Sequence, residues 1–341
     1  MKASVAQIRA VHSTLCPKQL GEILSEQYDL PKELICSYFL RGTNDIYKVQ
    51  TSEKTYFLRI HRANTRSYES IAKEADLLKL WKQSGIEIAQ PISNRNGDSV
   101  WQVEAPEGVR NAILFEEAKG NPDPTPQPEL LEETGRTLAK IHKSGLRFPL
   151  VEGFPHYDTE YCIKESLKTL SDFLQFRSDI KEFGIFYQNL ALNLNRALAE
   201  CDLKDFAWGP VHGDFISCNL MLGLDGRVTV FDFDRIGYGW HVFEIASYLG
   251  HLCVHRNISD YKPLYQQISY FFLKGYESTQ TISEEEKSLI PVFYLMRRLW
   301  MRAVCCRQYV DWSNQFLTLS NWKHDIHKGR RWASEVCEIK L

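Results

Sequence analysis

The chain lacks several things that would have settled its class at once. It contains no run of about 18 uninterrupted apolar residues, so no segment reads as a membrane span. Its charge is nearly balanced, with 41 Lys and Arg against 43 Asp and Glu and a formal net charge of −2. No broad field for nucleic acid follows from that balance. The nine cysteines form no CxxC pair, and Cys305 and Cys306 are adjacent rather than spaced like a zinc knuckle. They read as reduced thiols of a cytoplasmic protein. No long apolar stretch follows Met1-Lys2-Ala3-Ser4-Val5, so a cleaved secretory leader is not indicated. No GxxxxGK followed by Ser or Thr occurs, which counts against a P-loop enzyme. No internal repeat is visible.

What is present is an ordinary globular composition, 44% apolar and 25% charged, over 341 residues. That length suits two lobes better than one core. Apolar spacing predicts a first helix over residues 4–28, counted from Val5 and interrupted near Pro17. Three short strands follow, at 35–40, 46–50 and 56–60, with turn residues between them. They read as an antiparallel meander. Residues 67–84 carry Ile71, Ala75, Leu78 and Trp81 on one helical face, and Gly85 marks the stop. Pro91-Ile92, 99–103 and 112–115 add strand-like segments.

Composition then changes. Residues 120–128 hold four prolines, an extended connector. The lobe boundary is placed here: 1–118 as a nucleotide-binding lobe, 119–341 as a catalytic and substrate lobe. Beyond it the pattern is mainly helical: 130–144, 160–176, 179–201, 261–276 and 283–311, with Ser283 as an N-cap. An island of short strands near 211–234 interrupts the helices.

That island carries the chemistry. It reads Val211-His212-Gly213-Asp214-Phe215-Ile216-Ser217-Cys218-Asn219, then a Gly226-Arg227 turn, then Val228-Thr229-Val230-Phe231-Asp232-Phe233-Asp234. A hydroxyl that accepts a phosphoryl group needs a carboxylate to orient it and take its proton. The departing phosphates need magnesium, which prefers oxygen ligands. Asp214 supplies the first group; the amide oxygen of Asn219 and the carboxylate of Asp232 supply the second. A loop followed by a hairpin brings the three together. The competing reading is an Asp-rich turn between strands, with Asn219 merely capping.

His212-Gly213-Asp214, Asn219 and Asp232-Phe233-Asp234 resemble the signature of the aminoglycoside phosphotransferase superfamily, with its choline kinases and type II homoserine kinases. The resemblance extends over 234–246 and over Leu138-Ala139-Lys140-Ile141-His142. It implies an α+β, bilobal protein-kinase-like fold: an N-terminal antiparallel sheet with a helix, and a mainly helical C-terminal lobe. It implies transfer of the γ-phosphoryl group of ATP, with Mg2+, to a hydroxyl of a small molecule such as an amino alcohol, aminoglycoside or sugar. Asp214 becomes the catalytic base, and Asn219 and Asp232 the metal ligands. Arg59 stands where the family often has the lysine that contacts ATP phosphates, a non-equivalent replacement. Its acidic partner is Glu74, with Glu69 the competitor. Gly42 turns where a phosphate-covering hairpin would, or in an ordinary β-turn. Glu116 and Ala118 flank the adenine position. Asp234 is read as holding the loop rather than binding metal, His212 as bracing it, and Glu244 as supporting it. The aromatic and basic set Tyr294, Arg297, Arg298, Trp300 and Arg302 reads as core plus solvated face, with a smaller case for lining the acceptor. His251, His255 and Arg256 share a helix face. The alternative to catalysis is a nucleotide-binding pseudokinase serving as an interaction module. A protein kinase is disfavoured by the short segment between Asp234 and Glu244.

Overall fold

The computed structural model describes residues 8–122, 127–149, 151–256, 258–308 and 315–341. It divides into two compact units. The first comprises Met1–Leu80, Ala89–Glu117 and Val151–Gly153; the second comprises Trp81–Ile88, Ala118–Leu150 and Phe154–Leu341. The chain therefore crosses from one unit to the other more than once, and 81–88 and 151–153 depart from a single cut after 118.

The first unit is built on five antiparallel strands: β1 (Ile35–Arg41), β2 (Asp45–Gln50), β3 (Thr55–Ile60), β4 (Trp101–Ala105) and β5 (Gly108–Glu116). Their order is β1-β2-β3-β5-β4. Strand periodicity sorts the side chains onto two faces. Leu58, Ile60, Ala112 and Leu114 pack with Leu20, Leu24 and Tyr28. Ile113 and Val100 pack on the other face with Ile71 and Ala75 of helix α2 (Tyr68–Gln83). Arg59, between Leu58 and Ile60, is thereby turned to the α2 side. Pro91 contributes only a bridge to Phe115, not a strand.

The first helix corrects the reading over 4–28. Helix α1 spans only Pro17–Gln27, with Pro17 opening it. Proline has no N–H to give to a preceding turn and pushes the residue before it out of helical geometry. Cys16 is accordingly extended, at ψ 115°. Ile8 and Val11 are exposed and not helical, and Val5 lies outside the described residues.

The second unit is mainly helical. Helix α3 (Pro128–Gly145) packs closely on α7 (Tyr261–Glu277), where a methyl on Gly135 would collide with the backbone of Phe272. A π-helical turn (Glu160–Glu165) leads into α4 (Ser166–Leu174), and α5 runs Gly184–Ala199. Helix α6 (His241–Val254) is buried along its whole length. Helix α8 (Glu284–Gln308) starts with a capping box: Ser283 Oγ accepts the Glu286 N–H at 3.1 Å, and Glu286 accepts the Ser283 N–H at 2.9 Å. The expected continuation of α8 to 311 lies partly outside the described residues. Helix α9 (Leu319–Glu335) had no counterpart in the sequence reading. Four of the connector residues, 123–126, are likewise not described. Among the described residues, no helix is long and apolar enough to cross a membrane.

Two small sheets hold the island. Strand β6 (His156–Tyr157) pairs in parallel with β10 (Gly237–Trp240), and β10 pairs antiparallel with β7 (Trp208–Val211). Strands β8 (Leu220–Leu222) and β9 (Val228–Val230) form the hairpin.

Candidate active site

The loop from His212 to Asn219 leaves β7 and enters β8. In the hairpin Leu220 faces Val230, so Asn219 and Phe231 flank the same open end. The Phe231 N–H donates to the Asn219 carbonyl at 3.1 Å. Asp232 comes next, in the left-handed region at φ 62°. Asp and Asn tolerate that conformation better than most side chains, and such outliers gather at functional sites. Meanwhile Val211 faces Gly237, which draws the start of the loop against the segment after Asp232. Gly213 sits at φ 80°, and a side chain there would meet the Arg235 carbonyl and the Tyr157 hydroxyl. Only glycine passes that point without strain.

Within the loop, Asn219 Nδ2 donates to the Asp214 carbonyl at 2.9 Å. The amide is thereby oriented, and Oδ1 is the end left for a ligand. A divalent ion bound here would have that oxygen and the exposed Asp232 carboxylate as protein donors. Magnesium commonly takes one or two protein oxygens, filling its remaining positions with water and phosphate. The donor set thus fits a magnesium ion, though among the described residues no group of three His, Cys, Asp or Glu side chains gathers into a full cage.

His212 Nε2 lies 2.9 Å from the Phe231 carbonyl, and His212 Nδ1 accepts the Asp214 N–H at 3.2 Å. The imidazole ties the 212–219 loop to the segment that follows β9 by its two ring nitrogens. Beneath it, buried Glu244 on α6 accepts the His212 and Gly213 N–H groups at 3.1 and 2.8 Å. Burial pushes the Glu244 carboxyl up to about 7, against the pull of those donors. Glu244 also meets His142 Nε2 at 3.0 Å, and His142 Nδ1 lies 2.8 Å from the Tyr276 hydroxyl. Burial lowers His142 to about 3, so it is neutral at ordinary pH. Beside an ionised Glu244 the neutral ring donates from Nε2 and accepts from Tyr276 at Nδ1.

In the first unit, Arg59 donates to one carboxylate oxygen of Glu74 and Arg66 to the other. Glu74 is fully buried, and Arg59 also lies over the Phe115 ring at 4.8 Å. Glu69, in the exposed first turn of α2, is not the partner. Gly42 caps the β1–β2 turn, its N–H donating to the Asn44 carbonyl at 3.0 Å. Asp45, at the foot of that turn, is buried and accepts from Arg110 at 2.8 Å and Arg41 at 3.0 Å. Glu116 closes β5, its N–H donating to the Gln90 carbonyl at 3.0 Å. Ala118 belongs to the second unit. Asp214, Asn219 and Asp232 therefore come together in the second unit, while Gly42, Arg59, Glu74 and Glu116 sit in the first.

Arg297 stands out only in the structure. On α8 it donates to Asp214 Oδ1, and Arg235 Nε stands 3.9 Å from Oδ2. An Arg-Arg pair within an aromatic helix was the only local signal, and its neighbour Arg298 is spent on Asp325 at 2.5 Å.

A family model described as phosphotransferase enzyme family matches residues 40–277, well over half of the chain. The chain belongs to that family; it is a phosphotransferase of the small-molecule kinase type, with the protein-kinase-like fold. Among its relatives, amicoumacin kinase of Bacillus subtilis is 25% identical over 288 residues, covering 82% of each chain. A solved amicoumacin kinase, in complex with AMP-PNP, Ca2+ and Ami, superposes with a TM-score of 0.73 at 19% identity, over 94% of this chain and 93% of that one. A microcompartment-associated aminopropanol kinase gives 0.71 at 20% identity, over 93% and 95%.

Proposed function

We propose that this chain moves the γ-phosphoryl group of ATP to a hydroxyl of a small molecule, with magnesium, in the cytoplasm. Asp214 hydrogen-bonds that hydroxyl and takes its proton. A new P–O bond forms at the acceptor oxygen as the bond from the γ-phosphorus to its bridging oxygen breaks, and ADP leaves. Asn219 Oδ1 and Asp232 hold the metal, which when bound neutralises charge on the phosphate oxygens. Arg59, fixed by Glu74, supplies a cation to the phosphates in place of lysine. Gly42, Glu116 and Ala118 contribute to nucleotide binding, largely through backbone. Holding the reactants in place supplies much of the rate, since phosphoryl transfer asks little covalent chemistry of the protein.

The observation that carries this reading is the hairpin register, which sets Asn219 against Phe231 while the Asn219 amide is pinned to Asp214. Support comes also from the similar structure that holds AMP-PNP and Ca2+, and from a similar kinase named for aminopropanol. The test is ADP release with Mg-ATP across amino alcohols, aminosugars and sugars, repeated with magnesium chelated. Turnover that ignores chelation, or that survives unchanged in Asp214→Asn, would defeat the proposal.

A further inference from the structure

We infer that the acceptor carries a carboxylate beside its hydroxyl, and that Arg297, with Arg235, recognises it and thereby releases Asp214 to act as base. The inference rests on the kinase reading above.

Arg297 is on α8, far along the chain from the loop it touches. Its side chain is only 7% exposed, yet it reaches Asp214, which is 19% exposed. The Arg297 Nε–H is buried and has no hydrogen-bond partner among the described residues. A guanidinium offers five donors in a plane. Here one end engages Asp214 and the buried Nε–H is left over. Arg235 approaches the second oxygen of the same carboxylate, at 3.9 Å. Leaving a buried donor without a partner is costly, so an unfilled Nε–H beside the base points to a ligand rather than to packing.

The surroundings agree. Ser217, in the catalytic loop, lies 3.3 Å from His251 Nδ1, so the end of α6 abuts the loop. The His251 and His255 rings lie 4.1 Å apart, tilted by 31°. Burial first, and then the charges of Lys328, Arg298 and Arg297, bring His255 down to about 4. Asp325, an acid of this neighbourhood, is already held by Arg298 and Arg302. This is cationic ground. A polycationic acceptor would meet repulsion here, while a carboxylate would find a planar fork of matching geometry.

The pairing also explains how a base can be kept idle. A carboxylate oxygen engaged by a guanidinium is not available to a hydroxyl proton. An incoming carboxylate offers Arg297 an alternative partner of equal charge. The exchange presents Asp214 to the neighbouring hydroxyl only when the correct acceptor is bound.

The experiment compares acceptors with their decarboxylated partners under Mg-ATP: L-serine with ethanolamine, L-threonine with 1-amino-2-propanol, L-homoserine with 3-aminopropanol. The parent is expected to favour the acid of at least one pair by about 10- to 100-fold in kcat/KM, the range of one charge-assisted contact. In Arg297→Met that ratio falls towards one, with the change in the KM of the acid. Arg297→Lys restores part of it, because lysine keeps the charge and loses the fork. Should Arg297→Met fail to fold, Arg235→Met, on the other oxygen of Asp214, is expected to narrow the same ratio. The inference is overturned if the parent turns over the decarboxylated partner as well as the acid in every pair. It is equally overturned if Arg297→Met or Arg235→Met slows both partners alike through kcat. Turnover of aminosugars or sugars alone would overturn it and leave the kinase reading standing. No turnover of any acceptor, with Asp214 intact, would overturn both.

Discussion

Glu74 and Asp214 each meet two arginines, and their surroundings differ. Glu74 is sealed: fully buried, one oxygen on Arg59 and the other on Arg66. Asp214 is open: still partly exposed, with Arg297 on one oxygen and Arg235 at 3.9 Å from the other. The same residue types make a sealed ion pair in one place and a partly exposed one in the other. Burial decides between them. Removing one partner of a sealed pair leaves uncompensated charge in the interior, whereas an open pair exchanges partners with solvent or ligand.

The comparison is broken most sharply by Asp214→Asn. The kinase reading expects turnover to fall by about 10²- to 10⁴-fold, the range of a lost general base. Its urea midpoint should stay near the parent's. Glu74→Ala should do the reverse to the fold. Stranding two guanidiniums should lower stability by about 3–5 kcal/mol, read from urea unfolding. Were Glu74→Ala as stable as the parent, the sealed pair would not support the fold as expected.

A third carboxylate sharpens the contrast by pH. Glu244 is raised by burial to about 7. An unfolded glutamate titrates near ~4.3. The folded chain therefore holds more protons between those values. The Glu244 contribution to stability is complete below about 4.3 and is lost as pH rises through about 7. His142, lowered to about 3, works in the opposite direction from there up to its unfolded value. Glu244→Gln should remove the falling contribution and make stability rise more steeply with pH over that window, measured as urea midpoints across the range. An unchanged slope would mean that Glu244 is ionised throughout. The smallest effect is expected at the start of α8, where Ser283→Ala removes half of the capping box and should cost about 1 kcal/mol by thermal unfolding, with turnover unaffected.

Legibility followed the same divide between local and long-range. The meander at 35–60 was legible because alternation and turn residues act over a few positions. The boundaries of α2 came within a residue, since Ser67 and Gly85 bracket one apolar face. The helix expected over 4–28, with an interruption near Pro17, is shorter because Pro17 opens α1 rather than interrupting a longer helix. Helix α9 was missed because its mean polarity hides a buried stripe, Trp322, Ile326, Gly329 and Trp332. In the candidate site, Asp214, Asn219 and Asp232 could be grouped from sequence since one loop and one hairpin carry all three. Arg66 on Glu74 and Arg297 on Asp214 could not.

The meander, α2 and the hairpin around the proposed site were legible from the sequence alone, because turns, strand alternation and a hairpin register are properties of neighbouring residues. Only the tertiary structure decided which cation meets which carboxylate. Helical spacing says that Arg297 and Arg298 point to different faces, but the packing of α8 against its neighbours selects Arg297 for Asp214 and Arg298 for Asp325. Such pairings join residues far apart in the chain, where no local preference reaches and burial alone sets the strength of the contact.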